Sequence, residues 1–181
     1  MKKMLAFALG LSLLASVSFA QDAAKKIELG INGGIAVATT SGYDMGFGGQ
    51  VTGLYKVNPN LGIGLGIGYD SFPVTGSTSA FGASNADLSF LAILKYAFGD
   101  SAVKPYILVD AGLSNFMATL TADSISITGS TTYPEFGGGL GIQFAAGGDT
   151  NIFVQATINE IVNDGSSFTY IPVDAGVNFD L

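Results

Sequence analysis

The chain has 181 residues, of which 48% are hydrophobic and 12% charged, with seven lysines, no arginine, 14 carboxylates and a formal net charge of −7. A soluble domain ordinarily carries about 25% charged residues and a nucleic-acid binder a basic cluster, so both classes are poor fits. The absence of histidine and cysteine removes the commonest general base and metal ligand, thiol chemistry and disulfide stapling together.

Residues 1–20 place Lys2 and Lys3 before an apolar stretch from Met4 to about Leu14, with Ser18 and Ala20 at the −3 and −1 positions of a cleavage site. The apolar run is shorter than the roughly 18 residues a membrane-spanning helix requires, which predicts a cleaved secretory signal and a mature chain over 21–181. Beyond Ala20 the longest apolar runs, such as Phe90 to Leu94, are strand-sized. A hydrophobic exported chain without spanning helices must satisfy its backbone in lipid as a closed barrel.

Eight strand candidates follow, nearly all alternating at period two. The first, Lys26 to Thr39, sets Ile27, Leu29, Ile31, Ile35 and Val37 against Glu28, Asn32 and Gly34. The second, Met45 to Val57, sets Phe47, Val51 and Tyr55 against Gln50, Thr52 and Lys56. In the third, Leu61 to Asp70, Leu and Ile alternate with Gly62, Gly64, Gly66 and Gly68. The fourth, Ala86 to Phe98, opposes Leu88, Phe90 and Leu94 to Asp87, Ser89 and Lys95. The fifth, about Lys104 to Phe116, is less decisive, because Tyr106 and Leu108 share a face with Asp110 and Ser114. Its uncharged face, Ile107, Val109, Ala111 and Leu113, is assigned to lipid. The sixth, Tyr133 to Phe144, opposes Phe136, Leu140 and Ile142 to Glu135, Gly137, Gly139 and Gly141. The seventh runs from Asn151 to Ile161, and the eighth from Tyr170 to Leu181 with Asp174 and Asn178 inward.

An even strand count puts both ends on one side, predicted to be periplasmic. Tight connections (Asn58 to Asn60, Gly99 to Ser101, Gly147 to Asp149) then alternate with longer predicted loops over Pro73 to Asn85 and Ala118 to Ser130. Outward Tyr55, Phe98, Phe144 and Phe179 fall near the periplasmic rim, and Phe47, Tyr69 and Phe136 near the outer rim, as interface aromatics should. A soluble barrel or sandwich would turn the apolar face inward, leaving a Gly, Ser, Asn and Gln stripe with too few charges for a solvated surface.

Three stretches carry a family resemblance: Lys104-Pro105-Tyr106 running to Ala111-Gly112-Leu113, Gly137-Gly138-Gly139-Leu140-Gly141, and Ile171-Pro172-Val173 with the terminal Gly176-Val177-Asn178-Phe179-Asp180-Leu181. The chain resembles the small eight-stranded outer-membrane β-barrel family, of the OmpA, OmpX and OmpW membrane-domain type. The resemblance implies an all-β, closed, antiparallel, up-and-down barrel. It also implies recognition by the outer-membrane assembly machinery through the last strand, which in that family ends on an aromatic. Here Leu181 is last and Phe179 lies two positions earlier on the same face.

The expected interior is a polar network of Glu28, Lys56, Asp70, Asp87, Lys95, Asp110, Glu135 and Asp174. A symmetric turn at Thr40 to Asp44 places Glu28 opposite Lys56, and closure around Asp100 to Val103 brings Lys95 one diagonal step from Asp110. Glycine on strands three and six leaves space that Leu54, Leu91, Tyr106, Leu108, Phe153 and Tyr170 fill, or that stays open as a pocket. No catalytic, cofactor or metal site is expected. The partners expected are outer-membrane lipid and an unidentified surface ligand, with no nucleic acid. The function expected is a structural or surface-interaction role, with a narrow conduit or pocket for small hydrophobic or cationic solutes as the alternative.

Overall fold

The computed structural model describes residues 26–77, 81–122, 125–163 and 165–181, so the signal segment lies outside the described residues. Eight strands follow one another: β1 (Ile27–Ala38), β2 (Gly46–Lys56), β3 (Leu61–Pro73), β4 (Phe81–Ala97), β5 (Val103–Ala122), β6 (Ile125–Gly147), β7 (Thr150–Asn163) and β8 (Ser166–Asp180). Each pairs antiparallel with its sequence neighbour, and β8 pairs with β1, closing the ring. Closure leaves no free ladder within the ring, the condition for β-structure in hydrocarbon.

Register fixes the barrel's shape. From Leu29 the paired residues run through Gly53, Leu65, Ala92, Ala111, Phe136, Glu160 and Thr169, and return to β1 at Thr39, a shift of ten residues. With a rise of about 3.3 Å per residue and strands about 4.8 Å apart, that shear tilts the strands by about 40°. Along β5 the outward apolar residues run from Val103 to Leu113, ten steps, and end where Asn115 begins. At this tilt the run is about 25 Å tall, the height of an outer-membrane apolar band. Ile27, Ile67, Phe90, Val109, Leu140 and Val154 are among the large side chains left exposed on this outer face.

The turns at the terminal end are tight. Asn58 Oδ1 accepts from the backbone N–H groups of Asn60 and Leu61, both at 2.9 Å, and Gly147 and Gly148 both adopt positive φ between β6 and β7. At the opposite end the two predicted long loops are, among their described residues, mostly strand. β3 and β4 stay paired up to Pro73 and Ser84, and β5 and β6 up to Ala122 and Ile125. The expectation fails because Ser and Thr do not form loops here. Here they alternate with Ala, Leu and Ile, and β-branched Thr suits a strand when it pairs across it, as Thr119 Oγ1 does with Thr128 Oγ1 at 2.9 Å.

Candidate functional site

The interior divides into three levels. At the terminal end Lys95 Nζ donates to Glu28 Oε1 at 2.8 Å and sits 4.6 Å from the centroid of the Tyr106 ring, while Lys56 Nζ lies 2.5 Å from Asp180 and 4.0 Å from Glu28. The expected Glu28–Lys56 pair is present, though not as directly opposite partners, and Lys95 pairs with Glu28 instead of Asp110. The β1–β2 register sets Glu28 opposite Leu54, so Lys56 reaches Glu28 only diagonally. The β4–β5 register sets Lys95 opposite Leu108, and its long side chain crosses the lumen to β1 instead of meeting Asp110. Hairpin register constrains neighbours along the wall; in so narrow a barrel, cross-lumen reach decides which charges meet.

The middle level is acidic. Asp70 and Asp87 are register partners on β3 and β4, and Asp110, Glu135 and Asp174 face the same interior from β5, β6 and β8. Ser114 Oγ donates to Asp87 Oδ1. Tyr170 donates to Glu135 Oε1 at 2.7 Å and lies 3.3 Å from Asp87 Oδ2, and Asn159 Nδ2 donates to Glu135 Oε1 at 3.1 Å. Asp87, Ser114, Glu135 and Tyr170 are all fully buried, so this network is closed to bulk water.

An aromatic cap forms the third level. Phe72 packs edge-on against Phe168 and Tyr170 at centroid distances of 5.1 Å, and Phe168 also meets Tyr43 at 5.2 Å and Phe116 at 5.3 Å. Tyr43 arrives from the β1–β2 loop, bridged to Val74 and accepting a hydrogen bond from Asn85 Nδ2 at 2.8 Å. Only Tyr170 of this cap was singled out from sequence. Phe72, Phe116 and Phe168 do sit at inward parity on their strands, the signal that could have found them.

Side chains from neighbouring strands occupy the space beside the glycines. A Cβ on Gly141 would lie 2.3 Å from Tyr106 Cζ, one on Gly176 2.6 Å from Phe153 Cζ, and one on Gly66 2.8 Å from Ile93 Cδ1. Cavities of about 60 and 70 Å³ remain in the lumen. Each has room for no more than a few waters and falls well below the several hundred Å³ of a small-molecule site. Tyr106 donates to Gln155 Oε1 at 3.0 Å beside the first of them.

Of the aromatics predicted for the interfaces, Phe47, Tyr69, Phe98, Phe136, Phe144 and Phe179 are exposed on the outer face and Tyr55 is half-buried. Above Leu113 and Pro134 the facing pattern of β5 and β6 inverts. The outward side becomes polar, with Asn115 donating to Thr132 at 3.1 Å and Thr121 bonded to Ser126 at 3.0 Å. The inward side becomes apolar: Leu120 is register partner of Ile127 and Ala122 of Ile125, and these Leu and Ile side chains are 65–69% exposed. A groove of about 410 Å³ lies between them and the Thr75 to Ser77 turn. The β6–β7 ladder ends at Glu135, beside Pro134, which has no N–H to donate. Among the described residues, Ile125–Pro134 therefore pair with β5 alone.

A family model described as the outer membrane protein beta-barrel domain matches residues 6–180. The chain belongs to that family. The protein is one of the bacterial outer membrane. Among solved structures, it is similar to the neisserial surface protein A, NspA, at 20% identity over 88% of this chain and 100% of that one, with a TM-score of 0.66. It is also similar to Ail, the attachment invasion locus protein of Yersinia pestis (17% identity, 86% and 99% covered, TM-score 0.57). The outer membrane enzyme PagL is a further likeness (19% identity, 85% and 99% covered, TM-score 0.54). At these identities the likeness is one of fold. No curated protein matches the sequence.

Proposed function

We propose that this outer-membrane barrel is a non-catalytic surface-interaction protein whose β4–β6 extension receives an extended polypeptide, with the chain termini in the periplasm. The observation that carries the reading is the one-sided pairing of Ile125–Pro134. Ten residues of strand have their far-side backbone groups unengaged by β7 and carry no charged side chain. Outward-pointing lysines, which ordinarily guard such an edge, are absent from this segment. An added strand would gain main-chain hydrogen bonds from that edge and cover the apolar inner face at Leu120, Ile125 and Ile127. The polar outer face keeps the extension out of lipid, which supports its lying beyond the membrane.

A catalytic role has less support. Asp87 and Glu135 are sealed beneath the aromatic cap, where a substrate would have to displace Phe72 and Tyr170. A conduit meets the same cap and cavities sized for a few waters. The test is adhesion of cells displaying the barrel to a protein-coated surface, with and without residues 118–130. Loss of adhesion with an intact, heat-modifiable barrel supports the reading. Undiminished adhesion, or hydrolysis of lipid or peptide by the purified barrel, refutes it.

A further inference from the structure

The lumen carboxylates are unevenly compensated. Glu28 and Asp180 are answered by Lys95 and Lys56, whose ion pairs stay at the terminal end. The acids above them depend on hydroxyl and amide donors, and those donors run out. Asp110 Oδ1, Glu135 Oε2 and Asn159 Oδ1 are buried oxygens without a hydrogen-bond partner.

Two of the three converge. A Cβ placed on Gly137 would lie 2.5 Å from Asp110 Oδ1 and 2.8 Å from Asn159 Oδ1, so these oxygens are at most 5.3 Å apart, the sum of the two distances. The amide is oriented by its other end. Asn159 Nδ2 is engaged by Glu135 Oε1 at 3.1 Å and the Tyr170 hydroxyl at 3.3 Å, which turns Oδ1 toward the space over Gly137. Asn159 is only 6% exposed, so bulk water does not offset the opposed oxygens. Asp110 and Asn159 also line the central cavity of about 60 Å³, which has room for a few waters beside them.

We propose that Asp110 Oδ1 and Asn159 Oδ1, over the gap left by Gly137, form a cation site for a hard divalent ion, Ca²⁺ being the best match. The donors are all oxygen, one anionic and one neutral, with none of the nitrogen or sulfur a transition metal prefers. Ca²⁺ accepts such an irregular set at about 2.3–2.6 Å per ligand and completes its shell with water, whereas Mg²⁺ demands near-ideal octahedral geometry. Two ligands at those distances span up to about 5.2 Å, which covers nearly the whole range below the 5.3 Å bound on the separation of the two oxygens. The ion would also offset the negative charge of Glu135, which Asn159 contacts, and of Asp70 and Asp174 on the wall of the same cavity. This site is independent of the polypeptide-binding reading.

The test uses the refolded mature barrel in lipid vesicles, titrated with CaCl₂ after chelator treatment, with the heat-modification midpoint and the calorimetric stoichiometry as readouts. One Ca²⁺ per barrel should raise the wild-type midpoint by several degrees and saturate. The near-isosteric Asp110→Asn and the space-filling Gly137→Ala should abolish the shift, while Asp174→Asn, outside the cradle, should retain it. A wild-type midpoint unmoved by Ca²⁺, or one that responds to pH alone, overturns the proposal, because protons would then neutralise the carboxylates. An equal Ca²⁺ shift in Asp110→Asn also overturns it, as general screening. If Gly137→Ala fails to fold, Asp110→Asn decides by itself.

Discussion

Lys95→Met isolates the cross-lumen ion pair. Lys95 and Glu28 are 8% and 5% exposed and meet at 2.8 Å, and Lys95 is the donor to Glu28 Oε1. Breaking a buried pair from one side costs about 3–5 kcal/mol, chiefly because the remaining charge is left in a poorly solvating interior. Glu28 keeps Lys56 at 4.0 Å. With an effective dielectric constant of about 20, a charge at that distance supplies roughly two-thirds of the attraction lost at 2.8 Å. The expected destabilisation therefore falls at the lower end, about 3 kcal/mol. The assay is reversible urea unfolding in vesicles, followed by the shift in gel mobility of the unheated barrel. Adding Glu28→Gln to Lys95→Met should recover at least half of the loss, whereas adding Asp110→Asn should recover none. A single mutant within about 0.5 kcal/mol of wild type, or rescue through Asp110, would refute the reasoning.

The remaining predictions address the filled lumen, the lipid face and the cap. Gly141→Val drives side-chain carbon into the Tyr106 ring and should cost about 1–3 kcal/mol, while lipid-facing Gly53→Ala, whose Cβ would meet Leu29 Cδ2 at 3.7 Å, should stay within about 0.5 kcal/mol in the same urea assay. Val109→Lys, near the middle of the apolar band, should cost about 2–4 kcal/mol, and Thr128→Lys on the polar side of the extension close to nothing; equal costs would place the band wrongly. Phe72→Ala removes a fully buried ring with two edge-on partners and should cost about 3–5 kcal/mol. Single-channel recording should then show more frequent or larger openings than wild type if the cap is what occludes the lumen.

Where one face of a strand meets lipid and the other the lumen, alternation alone located the wall. Ile63, Leu65 and Ile67 against Gly62, Gly64 and Gly66 left no ambiguity of facing, and the assignment of β5 by its uncharged face agrees with exposed Ile107 and Val109 against buried Tyr106 and Leu108. What alternation cannot supply is distance across the lumen. Hairpin logic pairs Lys95 with Asp110, one diagonal step away on the adjacent strand, whereas its amine reaches Glu28 through the middle. The convergence of Asp110 and Asn159 over Gly137 was likewise invisible, because it depends on which end of an amide faces the gap.

The misread loops point to a more general reason. A period-two pattern states that a strand has two different faces, but not which solvent each face meets. On β5 the odd positions are apolar from Ile107 to Leu113 and then polar at Asn115, Thr119 and Thr121, with Met117 the exception, while the even positions change from Asp110 and Ser114 to Phe116 and Leu120. A continuous strand that keeps its period and exchanges its faces has passed from a lipid surround to a water surround. Above the crossing, its apolar side must be covered from the inside. Phe168, Tyr43 and Phe72 cover it near the mouth, and their packing against Phe116 is the lowest part of that cover. Nearer the tip, Leu120, Ile125 and Ile127 extend past the last ring, and the unaccompanied edge of β6 runs beside them. The same two features, apolar side chains without a cover and a ladder without a partner, occur over the same residues, and one added strand would satisfy both.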